Sequence, residues 1–476
     1  MEENERLCSF LLKIQNSTGV MVILIYFSLL VDNMLLTLIV PIIPDYIYQL
    51  ENIINENESN DHLWIQNITE NSTVYNYTNY RSYDDLLRKN INKENGLVGI
   101  LLASKALTQL VFNPLIGAII NRMGYIYPLV TGTIILIISC LLFASSDTFF
   151  LLLMARSIHG LGSSCISISG MGVIAEKYQE DKERSRIMGI TMGGIAFGVL
   201  IGYPFGSIMY DFVGKTALFL TMAALILLVT VFQVIFLRQN FRSEVSSHST
   251  FFNLLIDPQI AVTVGAICIS TSAMSILEPC LPIWLIEVMS PPKWQLGLVF
   301  IPDSLGYLIG TNFFGPISFK FGRWLTAMLS LFLVGACAMT IPFAVHVTHL
   351  LLPHFGIGLG IGVADAALMP LLASLVDKRH VSVYGSVYAL AQVSVSLAYS
   401  LGPLVGSQLV NLMGFPTLMR FIGLLNILYS PLCCLIKDSS SPVQENKMML
   451  IGSAAVPNYR AFLEENQYKR FIDDVD

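Results

Sequence analysis

The chain has 476 residues, of which 54% are hydrophobic and only 13% are charged, and its mean hydropathy is +0.65. A soluble protein of this length needs more charge to cover its surface, so the composition indicates a protein that lies largely within a membrane. The formal net charge of -6 and the lack of a strongly basic region argue against binding to nucleic acid.

Apolar segments long enough to cross a bilayer, which takes about 20 residues, recur along the whole chain. Taken in chain order, these candidate spans lie at about 20–44, 96–120, 127–145, 149–172, 187–210, 216–237, 260–284, 295–319, 325–343, 349–374, 383–408 and 415–437. The sequence therefore predicts an all-α membrane protein with twelve transmembrane helices.

Polar stretches divide these segments into two halves of six. The predicted parts are an N-terminal tail at 1–19, a first half at 20–237 with a long polar loop at 49–95, a linker at 238–259, a second half at 260–437 and a C-terminal tail at 438–476. The loop contains four glycosylation sequons, at Asn57, Asn67, Asn71 and Asn76, which favours a lumenal or extracellular position.

Basic residues in the short loops predict the orientation. They concentrate on one side of the predicted membrane, where Arg122, Lys177, Lys182, Arg184, Arg186, Arg238, Arg242, Lys320, Arg323, Lys378 and Arg379 fall, whereas the opposite short loops have mainly Lys215 and Lys293. Because cytoplasmic loops carry the excess of Lys and Arg, both termini and the linker are expected in the cytosol.

The two halves repeat each other in sequence. Gly117-x-x-x-Asn121-Arg122-x-Gly124 matches Gly315-x-x-x-Phe319-Lys320-x-Gly322 at an offset of 198 (315 − 117), and Gly160-Leu161-Gly162 matches Gly358-Leu359-Gly360 at the same offset. Two six-helix pseudo-repeats with a central path between them follow from this pattern. Arg122 and Lys320 either reflect topology and helix dipoles or form a gate that holds one access state through ion pairs.

Charged residues recur deep inside four of the apolar segments: Asp32, Lys105, Glu278 and Asp365. A charge at the bilayer centre costs roughly 3 kcal/mol, so such residues are usually kept for ions, protons or charged substrates, although structural ion pairs are the alternative. Three acids and one base suit a cation. At an effective dielectric constant of about 20, a carboxylate about 4 Å from an ammonium contributes roughly 4 kcal/mol, which protonation of the acid removes.

Other residues at similar depth are candidates for the same site. Trp284, Tyr307 and Tyr399 could contact a cation through their rings, or serve as packing and interfacial residues. Arg156 lies within the fourth segment. Asp303 occupies the position equivalent to Lys105 in the repeat (303 − 105 = 198), which would place it at the same cavity.

Several motifs resemble the vesicular amine transporters of the major facilitator superfamily. They include Val31-Asp32-Asn33-Met34-Leu35-Leu36-Thr37, Ala103-Ser104-Lys105-Ala106, Ala155-Arg156-Ser157, Leu277-Glu278-Pro279 and the stretch from Val376 to Ala389. Lys293-Trp294-Gln295-Leu296-Gly297 and Tyr307-Leu308-Ile309-Gly310-Thr311-Asn312 look like the monoamine branch rather than the acetylcholine branch.

The resemblance implies exchange of lumenal protons for a cytosolic monoamine such as serotonin, dopamine, octopamine or histamine, driven by a vesicle proton pump. It implies that amine or protons bind at Asp32, Asn33, Glu278, Tyr307, Asp365 and Tyr399, with Lys105 and Arg156 in a supporting charge network. Where the family has an aspartate, this chain has Gln392, which cannot titrate. Our hypothesis is that Asp303, which is absent from the family pattern, compensates in proton coupling.

The sequence thus predicts a monomeric proton-coupled monoamine antiporter of synaptic or secretory vesicles that works by alternating access. A broad drug/proton antiporter and a vesicular acetylcholine transporter are the alternatives within the same fold, and the segment count disfavours a channel or a receptor. Neither a GxSxG motif, an HExxH motif nor a metal-ligand cluster occurs, so no enzyme activity, metal or cofactor is predicted.

Overall fold

The structure is a computed structural model that describes residues 18–39, 78–237, 251–289, 291, 295, 298–379 and 384–439. The predicted glycosylation sites at Asn57, Asn67, Asn71 and Asn76 lie outside the described residues, as do residues 1–17 and 440–476.

The described residues form twelve long helices and contain no strand. In chain order these are α1 (Thr18–Leu38), α2 (Thr78–Met123), α3 (Ile126–Ala144), α4 (Phe149–Lys177), α5 (Asp181–Val213), α6 (Lys215–Phe236), α7 (Pro258–Met289), α8 (Ile301–Phe321), α9 (Arg323–Thr340), α10 (Leu351–Arg379), α11 (Tyr384–Met413) and α12 (Phe415–Tyr429). Short 3₁₀ segments follow α9, precede α10 and extend α12. A six-residue helix, Phe251–Ile256, lies within the predicted linker 238–259.

Eleven of these helices are long and apolar enough to cross a membrane. The exception is α8, whose 21 residues include Asp303, Asn312, Lys320 and several glycines that lower its hydropathy. Helix α2 begins at Thr78, inside the predicted polar loop 49–95, but its candidate membrane span begins only at Gly99. The helix therefore extends into polar sequence that hydropathy alone assigns to a loop.

Four glycines with positive φ mark the tightest connections between helices. Gly124 (φ 81°) ends α2 and Gly322 (φ 101°) ends α8, while Gly214 (φ 93°) and Gly414 (φ 79°) separate α5 from α6 and α11 from α12. A side chain at such a φ is strained, so glycine is required at each of these turns. The four form two pairs related by the sequence repeat, at offsets of 198 (322 − 124) and 200 (414 − 214).

Helix packing follows the same twofold relation. In the first half α1 packs on α5, α2 on α4 and α3 on α6; in the second half α7 packs on α11, α8 on α10 and α9 on α12. The halves meet mainly through α2 against α11 and α5 against α8. The predicted fold class, twelve helices in two six-helix pseudo-repeats, is therefore confirmed, and the cavity described next lies between the halves.

Candidate functional site

A cavity of about 210 Å³ lies between the two halves. Its walls come from α1, α2, α4 and α5 of the first half and from the repeat-related α7, α8, α10 and α11 of the second. It contains ten of the residues that the sequence predicted for substrate or proton binding: Asp32, Asn33, Lys105, Arg156, Glu278, Asp303, Tyr307, Asp365, Gln392 and Tyr399.

Asp32 is the most enclosed acid of the cavity, with 1% of its surface exposed. Its Oδ1 lies 3.0 Å from His159 Nε2 and 3.9 Å from Lys105 Nζ, and its Oδ2 accepts a hydrogen bond from Ser163 Oγ at 2.7 Å. A buried carboxylate is tolerated when a cation and hydrogen-bond donors compensate its lost hydration. The first half provides these partners for Asp32 from α2 and α4.

The two bases of the cavity both belong to the first half. Lys105 is 6% exposed and Arg156 is 2% exposed, and the Arg156 guanidinium donates to the Leu36 carbonyl of α1 at 3.2 Å. Gln109, one turn after Lys105, donates to Ser163 Oγ at 3.1 Å and so connects α2 to the side chain that holds Asp32. The wall formed by α1, α2 and α4 is thus a hydrogen-bonded unit of fixed geometry.

Among the described residues, the hydrogen bond between Tyr203 and Glu278 crosses the cavity between the halves. The hydroxyl of Tyr203 on α5 donates to Glu278 Oε1 on α7 at 3.0 Å, and the Tyr203 ring stacks on Phe300 with centroids 5.9 Å apart. Tyr203 is uncharged, so the sequence marks it only weakly. It lies within Gly202-Tyr203-Pro204-Phe205-Gly206, which resembles Gly402-Pro403-Leu404-Val405-Gly406 in the repeat.

A second acid–tyrosine pair lies within the second half. The Tyr307 hydroxyl on α8 donates to Asp365 Oδ2 on α10 at 2.9 Å. Among the described residues, Asp365 Oδ1 and Asp303 Oδ1 are buried and have no hydrogen-bond partner. Both acids are 7% exposed and both line the cavity. Their unpartnered oxygens can accept hydrogen bonds from a guest cation, or one can bind a proton.

Trp284 lies away from this site. It stacks on Phe415 of α12 with ring centroids 4.9 Å apart, is 8% exposed and does not line the cavity. The depth of Trp284 in the membrane suggests a cation contact, but Trp284 lies six positions after Glu278 on α7. At 100° per residue the two side chains leave α7 in different directions, so Trp284 packs in the core instead.

The structure has an ion pair between the halves, but this pair does not involve the predicted gate residues Arg122 and Lys320. Both predicted gate residues are exposed, and neither forms an ion pair with any residue that the structure describes. At the same end of the bundle, Arg184 on α5 pairs with Asp377 on α10 at 2.7 Å and with Asp181 at 3.1 Å. The Arg184 pair with Asp377 joins the two halves.

Two serines and a second arginine extend this contact. Arg323 at the start of α9 donates to Ser374 Oγ at 2.7 Å and to Ser185 Oγ at 2.9 Å, and its guanidinium lies 3.5 Å from Asp181. Nearby, Asn121 of α2 donates to Ser386 of α11 at 2.7 Å. We call the set Asp181, Arg184, Arg323, Ser374 and Asp377 the inter-half network. It joins α5 to α9 and α10.

The arrangement of a polar cavity between two six-helix pseudo-repeats is that of a membrane transporter. The family model described as "Major Facilitator Superfamily" matches residues 22–392, so the chain belongs to that superfamily. The crystal structure of the human organic anion transporter MFSD10 (TETRAN) has the same fold, with a TM-score of 0.67 and 17% identity over 87% of this chain and 99% of that chain.

Sequence relatives narrow the family further. The human synaptic vesicular amine transporter is 41% identical over 96% of this chain and 95% of its own length. The zebrafish probable vesicular acetylcholine transporter-A is 36% identical over 95% of this chain and 85% of its own length. The chain is therefore a member of the vesicular amine transporter family, and the prediction that it is not an enzyme is confirmed because its relatives are transporters.

Proposed function

We propose that this chain is a proton-coupled antiporter that loads cytosolic monoamines into acidic secretory or synaptic vesicles by alternating access. The observation that carries the proposal is the charge of the cavity: four acids (Asp32, Glu278, Asp303 and Asp365) against two bases (Lys105 and Arg156). With all six ionised, the excess of two negative charges favours a cation together with a proton.

The cavity volume supports a small substrate. At about 210 Å³ it is below the roughly 300–1,000 Å³ that is common for pockets that bind drug-sized molecules. An ammonium about 4 Å from one carboxylate gains roughly 4 kcal/mol at an effective dielectric constant of about 20. Since about 1.4 kcal/mol corresponds to tenfold in affinity, one such contact contributes about a thousandfold.

Competition between amine and proton couples the two fluxes. A carboxylate that binds a proton loses its attraction for the ammonium, so protonation in the acidic lumen releases the amine. In the cytosol, where protons are scarcer, the same carboxylate is ionised and binds amine again. Asp365 and Glu278 are the proposed amine-binding acids. Each accepts a hydrogen bond from a tyrosine hydroxyl, which fixes the orientation of the carboxylate at the cavity wall.

The inter-half network is the proposed cytosolic gate. It lies at the end of the bundle where the basic loop residues collect, and the distribution of those residues favours the cytosol for this end and for both termini. With Arg184 and Asp377 paired, α5 and α10 are held together at this end. Access from the cytosol therefore requires this pair to separate, and access from the lumen requires it to form.

Hydrogen-bonding capacity favours monoamines over acetylcholine. A primary ammonium donates up to three hydrogen bonds, which suits the unpartnered Asp365 Oδ1 and the carboxylate of Glu278. The quaternary ammonium of acetylcholine has no N–H and cannot make these bonds. The similarity to both kinds of relative is compatible with either substrate, so competition between serotonin and acetylcholine for uptake decides between them.

The direct test is uptake of labelled serotonin by the full chain in proteoliposomes with an acidic lumen. Accumulation that stops when a proton ionophore is added supports the proposal, and accumulation that continues unchanged contradicts it. Liposomes without the protein control for leakage of neutral amine. Effective competition by dopamine or octopamine at low concentration separates a monoamine transporter from a broad drug/proton antiporter.

A further inference from the structure

Asp303 is an acid of the cavity whose burial the described contacts do not compensate. It lies in the first turn of α8, is 7% exposed, and its Oδ1 is buried without a hydrogen-bond partner among the described residues. It also lines the cavity between the halves. An ionised carboxylate in such a place costs several kcal/mol unless a cation or a proton compensates it.

Asp303 is the structural counterpart of Lys105 as well as its counterpart in sequence. In the first half, a Cβ added to Gly160 of α4 would collide with the Lys105 carbonyl oxygen; in the second, one added to Gly358 of α10 would collide with the Asp303 carbonyl oxygen. The same glycine contact therefore holds both backbones, which gives α2 and α8 equivalent positions against α4 and α10. Two charges of opposite sign occupy these equivalent positions.

The sign difference leaves the part of the cavity wall that the second half contributes without a permanent cation among the described residues. Lys105 compensates Asp32 within the first half, and both bases of the cavity wall belong to that half. The titratable groups that surround Asp303 from its own helix and from α10, α7, α5 and α11 are Tyr307, Asp365, His354, Glu278, Tyr203 and Tyr399. Of these groups only His354 is a base. The centroid of its ring lies 5.8 Å from the ring centroid of Phe300, which is one turn before Asp303.

Gln392 cannot supply the proton site that the cavity needs. It faces the same cavity from α11, but an amide neither ionises nor takes up a proton. Glu278 and Asp365 each have a tyrosine donor that orients them for an ammonium, whereas no described donor orients Asp303 Oδ1. A carboxylate without an orienting donor is better suited to a proton than to a substrate that must be held in one position.

We infer that Asp303 is a proton-coupling residue: its carboxylate takes up one proton from the acidic compartment and releases it on the other side of the membrane in each cycle. This inference rests on the proposed function. Amine binding remains with Glu278 and Asp365, and Asp303 provides the exchangeable proton site that position 392 lacks. Moving an acid from α8 to α11 should therefore preserve coupling.

The test compares the full-length protein with four variants in proteoliposomes: Asp303→Asn, Asp303→Glu, Asp303→Asn combined with Gln392→Asp, and Asp147→Asn. Asp147 is the matched control, because it is also an aspartate but is 94% exposed at the surface. Three quantities are measured for each protein: binding of labelled serotonin at neutral pH without a gradient, accumulation driven by a pH gradient, and serotonin-dependent proton efflux from a dye-loaded lumen.

For Asp303→Asn we expect serotonin binding within about twofold of the original protein but at least tenfold less accumulation and proton efflux. Asp303→Glu and the double variant each regain at least half of both fluxes, and Asp147→Asn leaves all three quantities unchanged. Binding reports correct folding, and the glutamate variant tests the inference on its own should the asparagine variant not fold.

Three outcomes overturn the inference: unchanged accumulation in Asp303→Asn, a loss of serotonin binding of tenfold or more in Asp303→Asn with proton coupling intact, or a glutamate variant that binds serotonin but does not accumulate it. Serotonin accumulation by the original protein distinguishes failure of the inference about Asp303 from failure of the proposed function. If the original protein itself accumulates no serotonin, the antiporter proposal is wrong; if it accumulates serotonin and Asp303→Asn does too, only the inference about Asp303 is wrong.

Discussion

The two halves of the molecule treat their buried acids differently. Asp32 in the first half has His159, Ser163 and Lys105 around its two oxygens, whereas Asp303 and Asp365 in the second half each keep one buried oxygen without a described partner. A satisfied acid is part of the structure, and an unsatisfied one is available to a guest. Under the proposed function, the first half is a fixed wall and the second half provides most of the binding capacity.

Breaking the charge balance of the fixed wall should have the largest effect. Asp32→Asn leaves the buried Lys105 without its carboxylate, which typically costs about 3–5 kcal/mol of stability. We expect a clear drop in the thermal unfolding temperature of the purified protein and loss of serotonin uptake. Asp32→Asn combined with Lys105→Met removes both charges, so it should recover most of the unfolding temperature. If Asp32→Asn alone unfolds at the original temperature, the first half is not the fixed wall.

Removing an acid of the second half should leave the fold intact and abolish affinity. Asp365→Asn loses one carboxylate–ammonium contact, worth roughly 4 kcal/mol, or about a thousandfold in serotonin binding. Tyr307→Phe removes only the hydroxyl that orients Asp365 and should cost about 1.5–3 kcal/mol, or roughly ten- to a hundredfold. Equilibrium binding with unfolding temperatures checks both. An asparagine variant that binds serotonin normally would contradict the role of the second half.

Variants of the inter-half network test how the halves move relative to each other. Arg184→Ala and Asp377→Ala should each favour the state open to the cytosol, seen as faster hydrogen exchange at residues 181–187 and 374–379. The double variant should add little to either single variant, with a coupling energy of about 0.5–3 kcal/mol. Arg186→Ala is the control, because this exposed neighbour lies on the same helix. Fully additive effects would show that the pair does not act as a unit.

The smallest effects should come from two aromatic residues, Tyr203 in the cavity wall and Trp284 in the core. Tyr203→Phe removes the hydrogen bond to Glu278 that crosses the cavity and should weaken serotonin binding roughly tenfold. Trp284→Phe keeps an aromatic ring against Phe415 outside the cavity and should leave binding within twofold. Comparing the two binding constants separates a cavity residue from a core residue at similar depth. A larger loss for the Trp284 variant would restore the cation contact that the sequence suggested.

Much of this architecture was predictable from charge and hydropathy. A charge in an apolar helix is rare enough to mark Asp32, Lys105, Glu278 and Asp365, and all four line the cavity. The repeat offset of 198 also located Asp303, because the same glycine contact holds it and Lys105. The place of these residues at the cavity is predictable because burying a charge has a large cost, which leaves a strong signal in the sequence. Their roles in binding and proton coupling stay predictions.

The contacts of residues with a weaker signal could not be predicted from the sequence. His159, Ser163 and Tyr203 are uncharged polar residues that occur in many membrane helices, and only the packing of α4 and α5 shows what they contact. The position of Trp284 outside the cavity is not predictable, because hydropathy gives depth in the membrane but not which side of the helix faces the cavity. In the sequence, Arg184 and Arg323 are only topology signals, because the sequence alone does not show that Arg184 contacts Asp377 across the halves.

The most direct test of the account is the pH dependence of serotonin binding to the purified protein without a gradient. Because protons and the ammonium compete for the same carboxylates, we expect the affinity to fall as the pH is lowered from 8 towards 5 and binding to release protons. Calorimetry in buffers of different ionisation enthalpy measures both quantities. Affinity that is constant across this range, with no proton released, would contradict the central claim that the buried acids choose between a proton and an amine.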